Sequence, residues 1–179
     1  MSDMSRAVPF HAVPREGVDP SAGGALHRNA ARVHRALTEL GVRGEVRELA
    51  GSARTAADAA RTLGVDVGAI ASSLVFLHDG SPLLIVTSGA HRVDPALVEE
   101  LLGGRLDMAD AATVRAATGQ PIGGVGPVGH PAPLRTLVDV ALGAFDVVWA
   151  AAGTPHAVFP TSYAELVRIT AGTPAIVGR

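Results

Sequence analysis

The sequence predicts a mixed α/β fold of the α+β class, with a largely antiparallel or mixed sheet. Apolar residues at three- and four-residue steps indicate several short helices. An Asp79-Gly80 pair between two apolar runs is a strong hairpin signal. The predicted strands are grouped by such turns and do not alternate strictly with helices, which argues against a doubly wound parallel sheet.

The domain organisation is predicted from the length of the chain and from the positions of its turn-forming residues. A chain of 179 residues suits one domain. We expect residues 1–20 to form an irregular leader and residues 21–179 to form the domain. The predicted elements are, in order, helix 21–40, strand 44–49, helix 55–64, strands 73–78 and 82–87, helices 94–102 and 109–118, strands 135–141, 145–151 and 157–159, helix 161–169 and strand 174–177.

Turn and cap residues set these boundaries. Ser21 is taken as the N-cap of the first helix, and Gly41 as its stop. Thr55, with Asp58 three residues on, resembles a capping box, and Gly64 ends that helix. Asp139 lies within an apolar run, where the alternation of a strand favours the solvent face for its carboxylate.

Composition excludes several classes of chemistry. The chain is 47% hydrophobic and 18% charged, which excludes a disordered chain. It has no cysteine, which excludes disulfide scaffolds, thiolate zinc sites and a cysteine nucleophile. All 15 basic residues are arginine, so lysine Schiff-base chemistry and a P-loop lysine are excluded as well. With a net charge of −2, any contact with nucleic acid needs a local basic patch.

The sequence shows no targeting or membrane segment. Residues 1–20 lack an apolar core of the signal-peptide type, and the longest apolar runs fall far short of a bilayer span. We therefore expect a soluble, cytoplasmic protein without a membrane partner.

The glycine-proline segment 119–131 is the most informative part of the chain. It contains five glycines and three prolines. It is either a structural crossover or a stiff loop that presents backbone N–H groups to a carbonyl or a forming oxyanion. It lacks the G-K-[ST] ending of a phosphate-binding loop and the strand-turn-helix context of a dinucleotide site.

The polar candidates outside this loop are individually ambiguous. His130 ends the glycine-proline segment and His156 lies in a second glycine-proline turn; each is a general base, a ligand or a surface histidine. Ser72 and Ser73 open a strand, but no G-x-S-x-G elbow surrounds them. No pair of histidines or cysteines has the spacing of a metal site, so neither metal nor cofactor is expected.

A row of arginines lies on the first predicted helix. Arg28, Arg32 and Arg35 fall at i, i+4 and i+7 and therefore share one face. Such a face is usually a solvated surface, and its spacing also suits contact with successive phosphates.

Five segments stand in a characteristic order: T-A-A-D-A-A-R-T-L-G-V over 55–65, I-A-S-S-L-V-F over 70–76, S-G-A-H-R-V-D over 88–94, A-T-G-Q-P-I-G-G-V-G-P-V-G-H over 117–130 and A-A-G-T-P-H-A-V-F over 151–159. In these segments the chain resembles the YbaK and prolyl-tRNA-synthetase-associated family of aminoacyl-tRNA editing domains. The resemblance covers about residues 40–178. It implies a central mixed, barrel-like sheet with surrounding helices.

The resemblance also implies an activity and a site. The family hydrolyses the ester that joins a wrong amino acid to the 3′ end of a tRNA. Carried onto this chain, the catalytic residues are Gly123, Gly124, Gly126, Pro127 and Ser72. The substrate-binding residues are Ser73, His130, Gly153 and His156. Arg28 and Arg32, which lie outside the resemblance, are added as substrate-binding candidates because their spacing suits contact with phosphates. The implied partner is the 3′ acceptor end of an aminoacyl-tRNA, with a synthetase as a candidate second partner.

One position departs from the family pattern. The family has I-x-K-[ST]-L at the strand start, whereas this chain has Ser72 in place of the lysine. Two hypotheses follow: a trans-editing deacylase, for example for alanine or cysteine on proline tRNA, or a weakened homologue that binds aminoacyl-tRNA, a nucleotide-like ligand or a protein partner. A third class, an α/β hydrolase, is disfavoured by the missing elbow serine.

Overall fold

A computed structural model describes residues 26–179; Ser21 and the expected leader lie outside this range. The helices are α1 (Arg28–Glu39), α2 (Ala56–Leu63), α3 (Pro95–Leu102), α4 (Ala111–Thr118) and α5 (Tyr163–Thr170). The strands are β1 (Arg47–Glu48), β2 (Ile70–His78), β3 (Ser81–Ser88), β4 (Leu106–Met108), β5 (Arg135–Asp139), β6 (Val148–Ala151), β7 (Ala157–Thr161) and β8 (Thr173–Ala175).

The strands form one mixed sheet, which confirms the predicted fold class. Their order within the described part of the chain is β1-β7-β6-β2-β3-β5-β8, and β4 pairs with β2 beside β6. The β2–β3 pair is the predicted hairpin, with Ser72 opposite Thr87 and His78 opposite Ser81. β2 runs parallel to β6, and β3 runs parallel to β5.

Helices cover both faces of the sheet. On one face α1 and α5 pack on the strands through side chains such as Val33 and Leu166. On the other face α2 packs on Ile70 and Trp149. α3 covers the far end of that same face through Val98. Both faces are therefore buried, which is why the strands read as continuous apolar runs.

The predicted helix caps are confirmed where the capping residue lies within a few residues of the helix end. Thr55 caps α2, its hydroxyl accepting from the Asp58 N–H at 3.1 Å, and Gly64 ends the helix at a φ of +68°. Asp94 and Ser162 cap α3 and α5 in the same way.

Several predicted element bounds differ from the observed ones. α1 begins at Arg28 with His27 as its N-cap, and the predicted N-cap Ser21 lies outside the described residues. The predicted strands over 135–141 and 145–151 are shorter in the structure, and β4 was not predicted. In the predicted strand over 44–49 only Arg47 and Glu48 pair regularly, with β7. The carbonyl of Pro160 lies against Gly44, where even a Cβ would collide with it, so this segment packs tightly without continuing the ladder.

The predicted exposure of Asp139 is also wrong, since this residue is 1% exposed. Its carboxylate accepts hydrogen bonds from the Ser88 N–H at 3.1 Å, the His91 Nδ1 at 3.0 Å and the Ala141 N–H at 3.0 Å. These partners satisfy a buried charge that alternation alone placed in solvent. β5 ends at Asp139, because this residue caps the short 3-10 segment Val140–Ala144.

A gap in the sheet positions the site. β2 pairs with β6 only at Ile70 and Ala71, and with β4 only over 76–78. Residues 72–75 therefore lack a ladder partner on that edge among residues 26–179. β2 keeps its full pairing with β3 on the other edge along this stretch.

Candidate functional site

A cavity of about 180 Å³ opens beside the unpaired stretch of β2. Ser72 and Ser73 line it from the strand, and Gly123 and Val125 line it from the glycine-proline loop. The structure thus brings the serine pair and the glycine bend to one cavity. Apolar side chains make most of the remaining wall: Ala53, Ala56, Ala59, Ile70, Ala71, Leu74, Ile122, Trp149, Ala150, Ala151, Ala157 and Val158.

The backbone of Ser73 faces the open edge. The Gly89 N–H donates to the Ile70 carbonyl, so even-numbered residues of β2 direct their backbone groups toward β3. In an antiparallel pair these directions alternate from residue to residue. The N–H and carbonyl of Ser73 therefore point to the edge on which the cavity lies.

The Ser73 side chain carries a second unsatisfied group. Its Oγ is buried and has no hydrogen-bond partner within residues 26–179. A buried hydroxyl without a partner costs about 1–3 kcal/mol. A bound molecule with a polar group at this wall would recover that energy.

The glycine bend is a turn that only glycine suits. The Gly124 N–H donates to the Pro121 carbonyl at 3.0 Å, and Gly123, the third residue of this turn, has a φ of +85°. This is the backbone of a type II turn, whose third residue needs a positive φ. The turn places Gly123 against Arg54, whose Cα would lie 3.6 Å from a Cβ added at Gly123.

Gln120 holds the loop from inside and was missed by the sequence analysis. It is 1% exposed. Its Oε1 accepts from the Gly126 N–H at 2.7 Å, and its Nε2 donates to the Val128 carbonyl at 3.2 Å. A glutamine between a helix-ending glycine and a proline gave no signal of its own, because its partners are six and eight residues away.

These bonds correct the predicted donors. The N–H groups of Gly124 and Gly126 are engaged inside the loop, so they do not reach a bound carbonyl. Gly123 and Val125 line the cavity, and their N–H groups have no acceptor in the described range. Gly124 serves packing: a Cβ there would lie 2.5 Å from the carbonyl carbon of Thr154.

Three other predicted residues lie away from the cavity. Pro127 and His130 line a different surface depression, behind the glycine bend. Gly153 packs against α1, where a Cβ would lie 2.8 Å from the Asn29 carbonyl oxygen. These three residues support the loop and do not line the wall of the cavity.

His130 is bound to the loop by its ring. Its Nε2 donates to the Gly126 carbonyl at 2.8 Å. Burial lowers the pKa of His130 below its ordinary value of 6.5, and the hydrogen bond to Gly126 opposes that shift. The folded loop therefore favours the neutral form of the His130 ring.

Arg54 is the charged residue of the cavity wall and was also missed. It directly precedes the α2 N-cap, is exposed, and forms no ion pair with the residues described. Ser72, which stands where the family has lysine, lines the same cavity. The chain thus has a cation beside the cavity, but it stands just before the α2 N-cap and not on β2, where the lysine of the family stands.

His156 and the α1 arginines do not line the cavity. His156 is exposed in the turn after Thr154 and Pro155, two residues that do line the cavity. Arg28 and Arg32 are exposed on α1. The Arg32 guanidinium extends over Gly119, at the start of the glycine-proline segment.

Two structural features are absent from residues 26–179. No group of three or more His, Asp or Glu side chains is arranged to hold a metal ion. No helix in this range has the length and hydrophobicity to cross a membrane.

Comparison with known proteins finds aminoacyl-tRNA editing domains among the relatives. The sequence pattern of the aminoacyl-tRNA editing domain matches residues 50–169. A crystal structure of a candidate trans-editing enzyme for prolyl tRNA synthetase superposes with a TM-score of 0.83 at 40% identity, over 87% of this chain and 99% of that one. YwhH of Bacillus subtilis, a protein without an assigned function, is 31% identical over 76% of this chain and 87% of its own length.

Part of a larger enzyme is also similar. The proline–tRNA ligase of Desulfovibrio desulfuricans is 34% identical over 95 residues, which are 52% of this chain and 17% of the ligase. The chain therefore matches only a small part of that ligase. The matched pattern covers most of the described fold and contains both the serine pair and the glycine bend. The chain belongs to the YbaK-like family of aminoacyl-tRNA editing domains.

Proposed function

We propose that the chain is a free-standing deacylase that hydrolyses the ester of a mischarged tRNA. The observation that carries this proposal is the single cavity shared by Ser72, Ser73 and the bend at Gly123. One side is a strand edge with open backbone groups, and the other is a turn with free N–H groups. The cytoplasmic location expected from the sequence remains a prediction.

The groups at the cavity suit attack by water. The N–H groups of Gly123 and Val125 are placed to hold an ester carbonyl, and fixed donors stabilise the oxyanion that forms there. Water adds to the acyl carbon, the bond to the ribose oxygen breaks, and that oxygen leaves as a hydroxyl with a proton. The wall supplies serine and threonine hydroxyls but no histidine or carboxylate. The family resemblance implies that the substrate's own ribose hydroxyl or side chain assists the reaction.

The wall of the cavity favours an aminoacyl group whose side chain is uncharged. Its side chains are mainly alanine and other apolar residues. Burial of a charged group there without a partner costs several kcal/mol. Alanine or cysteine attached to proline tRNA fits this wall, and the Ser73 Oγ is available to the α-amino group or the ribose.

The decisive experiment is a panel of mischarged tRNAs incubated with the purified protein. We expect release of alanine or cysteine from proline tRNA and no release of proline. Cognate alanyl-tRNA provides the matched control for recognition of the tRNA. No hydrolysis above buffer for any pair would refute the proposed activity.

Arg54 is proposed to supply the cation that lysine provides in the family. Arg54→Ala should lower kcat/KM by about tenfold or more, while Arg54→Lys keeps part of the activity. Arg61→Ala is the matched control, because Arg61 is exposed on α2 and pairs with Asp58 at 3.2 Å. Equal rates for the Arg54→Ala and Arg61→Ala proteins would contradict this role.

Ser72 supports a second candidate function, in which the chain binds aminoacyl-tRNA with little turnover. The variant Ser72→Lys separates the two. A large gain in turnover identifies a weakened enzyme, whereas a loss identifies a site already adapted to serine and Arg54. Circular dichroism of both proteins controls for folding.

A further inference from the structure

The segment 88–94 carries one of the five characteristic sequence motifs, yet none of its residues lines the cavity. It follows β3 and leads into α3. Its first part, the turn 88–90, lies directly behind the cavity wall. A Cβ added at Gly89 would lie 2.7 Å from the Ala56 Cβ and 3.3 Å from the Ile70 Cβ. Because Ala56 and Ile70 both line the cavity, the turn backs that wall without a gap.

Hydrogen bonds fasten this turn to the start of β2. The Gly89 N–H donates to the Ile70 carbonyl at 2.7 Å. The Ser88 hydroxyl is buried and donates to the carbonyl of Gly68, just before β2, at 2.8 Å. Ile70 in turn pairs with Trp149 on β6. A displacement of the turn is therefore passed to Ile70, and from Ile70 to the tryptophan in the same cavity wall.

A buried carboxylate, that of Asp139, also holds the turn. Its Oδ2 accepts from the Ser88 N–H at 3.1 Å and from the Thr87 hydroxyl at 3.3 Å. The same oxygen accepts from His91 Nδ1 at 3.0 Å, and this bond fixes the orientation of the imidazole ring. Ser88 and Thr87 are buried, whereas the His91 side chain is 28% exposed. The bond from His91 can therefore be removed with little change to the core.

We propose that His91 is a positioning residue that sets the selectivity of the cavity for aminoacyl groups. The hydrogen bond from its ring to Asp139 fixes the turn 88–90. The fixed turn prevents Ala56 and Ile70 from receding when a larger amino acid presses on them, so the larger group is excluded by contact. The inference rests on the proposed function, because the group that meets this wall is the amino acid attached to the tRNA.

Trp149 gives a readout that needs no catalysis, because it is the only tryptophan in the chain and lines the same wall. We expect His91→Ala to shift the indole N–H resonance of Trp149 and the amide resonance of Ile70 in NMR spectra of the free protein. His91→Asn keeps a donor close to the position of Nδ1 and should bring both resonances back toward those of the unmodified protein. Both variants lack the imidazole ring, so the difference between them reports the hydrogen bond and not the ring.

Selectivity is measured with alanine and with proline attached to the same proline tRNA. We expect His91→Ala to raise kcat/KM for proline relative to that for alanine by about tenfold or more, since one methylene group changes discrimination by about this factor. His91→Asn should recover most of the selectivity. Arg92→Gln is the matched control, because Arg92 is exposed on the same segment, and it should leave the ratio unchanged. A loss of folded protein lowers both rates together and does not change their ratio.

The outcomes separate this inference from the proposed function. Unchanged resonances of Trp149 and Ile70 in the His91→Ala protein, or an unchanged ratio of the two rates, would overturn the positioning role even if mischarged tRNA is hydrolysed. Equal shifts in the His91→Ala and His91→Asn proteins would overturn it as well, because they would arise from loss of the ring alone. Shifts that His91→Asn reverses and that Arg92→Gln does not cause support the role, even if no tRNA is hydrolysed and the deacylase proposal fails.

Discussion

Replacement of Gln120 by alanine tests whether one buried amide holds the glycine bend in shape. The change leaves the buried Gly126 N–H without its acceptor and the buried Val128 carbonyl without its donor. Each unsatisfied buried group costs about 1–3 kcal/mol. The bond to the Gly129 carbonyl, at 3.5 Å, is long enough to add little.

The expected loss in the free energy of unfolding is therefore about 3 kcal/mol, since water that enters the space recovers part of the cost. For a chain of this length, that loss corresponds to a decrease in Tm of about 6–12 °C. Urea denaturation followed by circular dichroism measures the free energy. Arg115→Ala, an exposed change on the preceding helix, is the control and should stay within about 0.5 kcal/mol of the unmodified protein.

The same variant should lose activity at temperatures where it remains folded. Without Gln120 the loop no longer fixes Gly123, so donors aimed at the oxyanion are misplaced and kcat should decrease about tenfold or more. The reasoning is wrong if the free energy of unfolding of Gln120→Ala is within about 1 kcal/mol of that of the unmodified protein and both hydrolyse the substrate at the same rate. The loop would then be rigid without this side chain.

Three further changes test other parts of the structure. Folding lowers the pKa of His130, so the stability that its neutral ring contributes is complete above pH 6.5 and is lost as the pH falls toward the pKa of the folded state. His130→Gln should therefore make the free energy of unfolding, measured by urea titration, less dependent on pH between about 5 and 7.5. Asp139→Asn should destabilise the fold by about 2–4 kcal/mol, while the exposed Asp146→Asn changes little; equal effects would contradict the buried hydrogen-bond set. Gly124→Ala forces a Cβ to within 2.5 Å of the Thr154 backbone and should lower both Tm and activity, whereas Gly51→Ala, in open space, should alter neither.

The parts of the fold that the sequence predicted well are those whose causes are local. The α2 caps at Thr55 and Gly64 act within four residues, and the hairpin turn at Asp79-Gly80 acts between adjacent strands. The family resemblance, rather than composition or spacing, predicted that the serine pair and the glycine bend share a site, and both line one cavity.

The parts that the sequence did not predict depend on contacts between distant segments. Asp139 is buried because Ser88 and His91, about fifty positions earlier, supply donors to its carboxylate. Periodicity reports which residues alternate, but it cannot report that helices cover both faces of a sheet. Arg54 gave no signal because its importance arises only where α2's leading segment meets Gly123.

The separation of β2 from β6 after Ala71 has a consequence for variation among related chains. The strands are held together by main-chain hydrogen bonds, in which the side chains of Ala56 and Ala151, which line the cavity, take no part. A bulkier side chain at either position would narrow the opening without breaking a rung of the sheet. The specificity for the bound group can therefore change in this architecture while the pairing of the strands is kept.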